Sequence, residues 1–151
     1  MTTSAGILPY RIRDGKLELF LVHMGGPYWR NKERSWSIVK GEVKEGEDAE
    51  TAARREFEEE TGQRIEEALR FLGEGRSGSK RLLIYAVEVP RLSTKIRSNT
   101  FRIEWPPKSG KLREFPEVDR AAWMVPQEAR RFLVKSQLPF LDQLEASLGL
   151  G

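Results

Sequence analysis

The sequence predicts an α+β fold, layered as an α/β/α sandwich with a mixed central β-sheet. Three observations lead there. Strand patterns outnumber helical ones, a turn dipeptide marks an early hairpin, and one long helical pattern interrupts the strands while two more close the chain. Residues 5–12 and 16–23 read as two strands, with Leu17, Leu19 and Leu21 alternating with Glu18 and Phe20. Asp14-Gly15 between them is a strong hairpin signal. Residues 24–32 form a loop rich in glycine, proline and aromatics, residues 35–39 a short strand, and residues 41–47 a second loop. A helix is expected over 48–61, closed by Gly62. Residues 70–72 and 81–89 are strand-like, with a turn at Arg76-Ser77-Gly78-Ser79. Residues 90–116 form a long, basic connection with room for a strand at 100–105, and a connection of that length is usually functional. A strand at 121–125 and helices at 127–134 and 138–148 complete the pattern.

Length and composition narrow the classes of function. The 151 residues suit one compact domain spanning 1–151. With 38% apolar and 32% charged residues the chain is a well-solvated globular protein. No stretch approaches the roughly 20 apolar residues that span a bilayer. Residues 1–9 lack a basic start followed by an apolar run, so a cytoplasmic protein without membrane contact is expected. The absence of cysteine excludes disulfides, thiolate catalysis and Cys-ligated zinc. With one histidine, His23, any metal must be held mainly by oxygen, which favours Mg²⁺, Mn²⁺ or Ca²⁺. The net charge is only +3, but the signs are segregated. Residues 42–60 hold nine acids and three bases. Residues 91–113 hold seven bases (Arg91, Lys95, Arg97, Arg102, Lys108, Lys111, Arg113) against Glu104. Such poles suit either two solvated surfaces or a cation and a polyanion held together.

The 48–61 helix concentrates the chemistry. At about 100° per residue, Ala49, Ala52, Ala53, Glu56, Glu59 and Glu60 share one stripe, with Phe57 on its border and Thr51, Arg54 and Glu58 opposite. Small alanines let a helix lie close to a sheet, which turns the three glutamates inward too. Inward carboxylates within two turns repel one another and resist desolvation. Arg55 can pair with Glu59 at i,i+4. A bound divalent cation is the stronger neutraliser.

Gly41, Glu47, Arg55, Glu56, Glu59, Glu60 and Gly62 fall on the fixed positions of Gx5Ex7REUxEExGU, where U is bulky and apolar. This resembles the Nudix box. Seven chance matches arise on the order of 10⁻⁸ per starting position at ordinary residue frequencies. Phe57 fills the first U, and Gln63 stands at the last. The box covers residues 41–63, and the strand order around it is also similar to the family's layout. Trp36-Ser37-Ile38-Val39-Lys40-Gly41-Glu42 resembles the Trp-x-x-Pro-Lys-Gly approach of the diadenosine-polyphosphate hydrolase branch, with Val39 in place of proline.

The resemblance implies a Nudix-type fold and a hydrolase that uses Mg²⁺ (or Mn²⁺) to cleave a phosphoanhydride bond in a nucleoside diphosphate linked to another moiety. It implies that Glu56, Glu59 and Glu60, with the Gly41 carbonyl, bind metal, and that Glu47 and Arg55 orient them. The base is open: Glu59 is the first choice within the box, and Glu114, Glu117 and Asp119 are later candidates. Lys40 is a candidate to contact phosphate, or else a plain surface lysine, and the basic run from Arg91 to Arg113 is a candidate to screen a polyphosphate tail. Tyr28, Trp29 and Trp105 are candidates to stack on a base. Trp36, Trp123 and His23 are expected to be structural. The substrate is expected to be a small nucleotide: a dinucleoside polyphosphate, a nucleoside triphosphate or a nucleotide sugar. RNA 5′ ends and non-catalytic nucleotide sensing are the alternatives, and the oligomeric state is open.

Overall fold

The computed structural model describes residues 2–150. Strand β1 (Thr3–Arg13) turns at Asp14 and Gly15, both at positive φ (52° and 76°), into β2 (Lys16–Met24). Two consecutive positive φ values make the turn whose twist matches the strands, as Asp-Gly foretold. The expected 35–39 strand is instead two pieces, β3 (Trp36–Ser37) and β4 (Val39–Glu42). Lys40 and Gly41 therefore lie on a strand, not at the start of a loop. The break falls at Ile38, whose N–H is taken by the Gln137 side chain at 2.8 Å, while Gln137 in turn donates to Ser37. β3 pairs with β2 and β4 with β1, so one segment bridges two strands.

Helix α1 (Ala49–Thr61) is capped by the Asp48 carboxylate, which accepts from Thr51 N–H at 2.7 Å, and is closed by Gly62 in the left-handed region. Strand β5 (Arg70–Ser77) runs further than residues 70–72 and turns into β6 (Lys80–Glu88). The long connection carries a complete hairpin, β7 (Thr100–Glu104) with β8 (Leu112–Pro116), as a separate two-stranded sheet. Its base seats on Gly25-Gly26. An added Cβ at Gly25 would lie 2.1 Å from the Pro116 carbonyl oxygen, and one at Gly26 would lie 2.8 Å from the Phe101 ring. Strand β9 (Val118–Met124), helix α2 (Pro126–Phe132), a single 3₁₀ turn and helix α3 (Leu138–Ser147) follow.

The main sheet has seven strands in the order β3-β2-β1-β6-β5, with β4 also on β1 and β9 also on β2. β1 and β6 run parallel and the other pairs antiparallel, so the sheet is mixed. One face packs Ala5, Ile7, Phe20, Val22 and Val39 under Ala52, Ala53 and Phe57 of α1. The other packs Leu8, Leu19, Leu21, Leu82 and Ile84 under α2 and α3. Helices thus cover both faces, as the α/β/α reading requires. Phe57 is not a border residue but fully buried, against Phe20. Burying such a ring contributes about 1.5 to 3 kcal/mol. Trp123 meets Phe20 edge-on and donates its indole N–H to Leu92, and Trp36 is partly buried against His23.

Candidate active site

Because Ala52 and Ala53 carry so little side chain, α1 lies close over β1 and β4, and its next inward turn reaches the edge of a cavity of about 470 Å³. Glu56, Glu59 and Glu60 all line it, together with Lys40 and Gly41 of β4, and Glu117 closes it from between β8 and β9. Gly41 is needed there as a bare backbone: an added Cβ would lie 2.0 Å from Glu56 Cδ.

Arg55 organises the cluster. It makes a two-pronged pair with Glu47 at 2.8 and 3.0 Å, donates to Glu56 at 2.9 Å and Glu59 at 2.8 Å, and reaches the Glu42 carbonyl at 3.0 Å. Forked guanidinium–carboxylate geometry fixes direction as well as charge. The Arg55 hydrogen bonds hold the Glu47 carboxyl down at about 2. Glu60 lies beyond the reach of that guanidinium and is 9% exposed. Burial, then its hydrogen bond with Glu56, pushes its carboxyl up to about 9. Burial, then repulsion from Glu56, also raises Glu117. Burial, then the nearby Lys80, lowers Lys40, against the pull of Glu60, Glu56 and Glu117. At the buried end Glu56, Glu60 and Glu117 thus stand around Lys40, with Lys80 nearby. Among the described residues no three His, Cys, Asp or Glu side chains stand ready-gathered around a metal position. Arg55 holds Glu56 and Glu59 instead.

Other expected site residues fall elsewhere. Tyr28 and Trp29 pack edge-to-face on each other at 4.9 Å, with the Lys32 ammonium over Tyr28, and Trp105 caps the β7–β8 hairpin. None of the three lines the carboxylate cavity. Nor do the seven bases of residues 91–113. Arg91 pairs with Glu67, and Arg102, Lys108, Lys111 and Arg113 ride on the hairpin. Glu114 accepts from Thr100 on the hairpin, and Asp119 holds His23. The cations that do line the cavity are Lys40, Lys44, Arg55 and Lys80. Sequence reading missed Lys80, at the start of β6, and Asn99. The Asn99 N–H donates to the Glu59 carbonyl at 2.8 Å, and its carbonyl accepts from Glu117 N–H. No local signal marks either; only strand pairing and the return of the long connection bring them in.

The NUDIX domain family model matches residues 2–144. No curated protein sequence matched the chain. Among solved structures, a C. elegans Ap4A hydrolase binary complex superposes with a TM-score of 0.66 at 19% identity, over 99% of this chain and 98% of that one. The NUDIX domain of Shewanella oneidensis NrtR complexed with ADP ribose gives 0.68 at 14% identity, over 97% and 87%. The MutT protein of Methanosarcina mazei Go1 gives 0.64 at 14% identity, over 97% and 94%. At such identities these likenesses speak for the fold. A family model spanning nearly the whole chain, over a box whose Gly41, Arg55, Glu56, Glu59 and Glu60 line one cavity, establishes that the chain belongs to the Nudix family.

Proposed function

We propose that this protein is a divalent-cation-dependent pyrophosphohydrolase acting on a nucleoside diphosphate linked to a further group. One observation carries the reading: Glu56, Glu59, Glu60 and Glu117 face a single cavity, with Lys40 and Lys80 beside them. The donor set fits Mg²⁺ or Mn²⁺, since every side chain on offer is a hard oxygen ligand and the bare Gly41 leaves room for the Glu56 carboxylate. Glu56, Glu59 and Glu60, with the Gly41 carbonyl, would hold the ion. A bound cation there draws charge off phosphoryl oxygens and makes water more acidic.

The chain's own groups supply the rest. Arg55, anchored by Glu47, sets the rotamers of Glu56 and Glu59. Lys40 and Lys80 offer cationic contacts to phosphate from the floor of the cavity. Glu59 is tied to Arg55, whereas Glu117 lines the cavity from a different element with its carboxyl raised by burial. We assign the proton-accepting role to Glu117 and a ligand role to Glu59. Dinucleoside polyphosphates, nucleoside triphosphates and nucleotide sugars fit this reading, and Ap4A and ADP-ribose are the first compounds to test, given the structural neighbours. An RNA 5′ end is less well supported, because the basic run does not line the cavity.

The test is a panel of these compounds with Mg²⁺ in ¹⁸O water, read by mass spectrometry. Metal-dependent release of phosphate-bearing products supports the reading, and the label identifies the phosphorus attacked. No turnover of any compound, with or without Mg²⁺ or Mn²⁺, overturns it in favour of a nucleotide sensor.

A further inference from the structure

Helix α1 ends in carbonyls that have no partner within the helix. Residues 97–99, on the way into the β7–β8 hairpin, take two of them. Arg97 N–H donates to the Thr61 carbonyl at 3.0 Å, and Asn99 N–H to the Glu59 carbonyl at 2.8 Å. The Asn99 carbonyl accepts from Glu117 N–H at 2.9 Å, where the chain leaves the hairpin. Asn99 thus ties the helix turn that carries Glu59 to the backbone of Glu117. The Ser98 hydroxyl closes this junction. It accepts from Val118 N–H at 3.1 Å and donates to the Asn99 carbonyl at 2.8 Å. Both lone pairs of that carbonyl are then used, one by Ser98 and one by Glu117. On its far side the Glu117 carbonyl accepts from Gly25 N–H at 2.9 Å. Glu117 is therefore fixed by its backbone, while among the described residues no hydrogen bond holds its carboxylate.

From these bonds we infer that Ser98 is a positioning residue for the reaction: its hydroxyl holds the Asn99–Glu117 junction, which keeps the Glu117 carboxylate at the cavity beside Glu56, Glu59 and Glu60. The inference rests on the proton-accepting role given to Glu117 above and adds what keeps that group in place. Ser98 is half-buried and does not line the cavity, so it acts through its neighbours and not on the substrate. Without the hydroxyl, the Val118 N–H loses its acceptor in a residue only 3% exposed. A buried donor does not stay unpaired without cost, so the backbone at 117–118 moves to find water, and Glu117 moves with it. The same substitution removes a donor from the Asn99 carbonyl and loosens the link to the Glu59 turn of α1. A displacement of about 1 Å in a reacting group lowers turnover by as much as about 10²-fold, so a hydroxyl outside the cavity bears on the rate.

The test compares Ser98→Ala and Ser98→Thr with wild type. In EDTA, amide hydrogen exchange followed by NMR is expected to be at least about tenfold faster at Val118 in Ser98→Ala, the worth of one hydrogen bond, and near wild type in Ser98→Thr. Exchange in the middle of β1 should be the same in all three. With Mg²⁺ and the fastest compound of the ¹⁸O panel, Ser98→Ala should lose about 10- to 10²-fold in kcat while KM stays within about twofold, and Ser98→Thr should recover most of the loss. Glu117→Gln should cost less in the Ser98→Ala background than in wild type, which a role in folding alone does not produce. If Ser98→Ala melts below the assay temperature, Ser98→Cys keeps the volume, weakens both hydrogen bonds and is scored by the same outcomes. Unchanged exchange at Val118, an unchanged kcat, or fully additive effects of Ser98→Ala and Glu117→Gln overturn the positioning role, and wild-type turnover then leaves the reaction standing. A wild type inactive toward every compound ends the reaction and the positioning role together.

Discussion

Replacing Gly41 by alanine separates the chemistry of the cavity from the stability of the fold. Gly41 lies in β4 without a positive φ, so alanine is tolerated by the backbone there. The new Cβ would stand 2.0 Å from Glu56 Cδ and 2.1 and 2.5 Å from its oxygens. Ordinary contact begins near 3.4 Å, so the carboxylate must retreat by about 1.4 Å (3.4 − 2.0). Swinging the end of a flexible side chain costs about 0.5 to 1.5 kcal/mol, and the lower backbone entropy of alanine offsets part of this. Mg²⁺ tolerates little departure from bond lengths of about 2.0 to 2.1 Å, so such a retreat removes Glu56 as a ligand. Losing a ligand in an electrostatic site is expected to lower kcat/KM about 10²- to 10³-fold, or about 2.7 to 4 kcal/mol of barrier. The assay pairs initial rates at saturating Mg²⁺ with thermal melts. Gly41→Ala should melt within a few degrees of wild type and be nearly inactive. Glu56→Asp, whose carboxylate is set back by one methylene, should cost less in the Gly41→Ala background than in wild type, a coupling that a double-mutant cycle reads. Near-wild-type turnover by Gly41→Ala with an unchanged melt would refute the placement of Glu56 at the metal.

Glu59→Gln is expected to lower kcat by at least about 10²-fold in steady-state assays with Mg²⁺; near-normal turnover removes Glu59 from the site. Arg55→Ala should release Glu47 from about 2 toward the ordinary carboxylate range, as an NMR titration of its side chain would show. The folded-state value is depressed, so the Glu47 contribution to stability is present above about 4.5 and is lost as pH falls toward 2. An unshifted Glu47 in the variant excludes Arg55 as the cause. Glu60 has the opposite sign. Its folded-state value is raised to about 9, so the native state holds a proton that the unfolded chain releases near 4.5. Metal-free protein should therefore lose melting temperature as pH rises from about 4.5 toward 9. Mg²⁺ should restore most of the loss, and Glu60→Gln should flatten the metal-free profile. A pH-independent Tm for wild type in EDTA contradicts the burial of Glu60.

Local patterns made much of this architecture legible. Asp14-Gly15 announced the hairpin because both residues tolerate positive φ, and Ala52-Ala53 announced the inward face of α1 because only small side chains permit close approach. The family was legible because seven residues match the Nudix box, and helical geometry turned its three glutamates to one side. Other features depend on closure in three dimensions. The β3–β4 break at Ile38 has no sequence mark, since the group that satisfies its N–H comes from Gln137. The second hairpin was half hidden, its strands separated by Pro106-Pro107 and a basic turn. The charge of residues 91–113 suggested a screen for a polyphosphate, yet Arg91 is used against Glu67 and none of the hairpin bases lines the carboxylate cavity. Tyr28 and Trp29 looked available for stacking, but aromatic neighbours in one loop satisfy each other first.

The Gln137 contact with Ile38 spans 99 residues of sequence. During synthesis, the segment that leads into residues 41–47 emerges well before the amide that locks its kink. Until then Ile38 has no partner for its N–H, and the strand is free to pair in a straight register that carries Lys40 and Gly41 out of line. The set of β4 should therefore mature only with the C-terminal helices, and a nascent chain released before residue 137 should bury the core under α1 while the core that Phe140, Leu141 and Leu144 complete stays open.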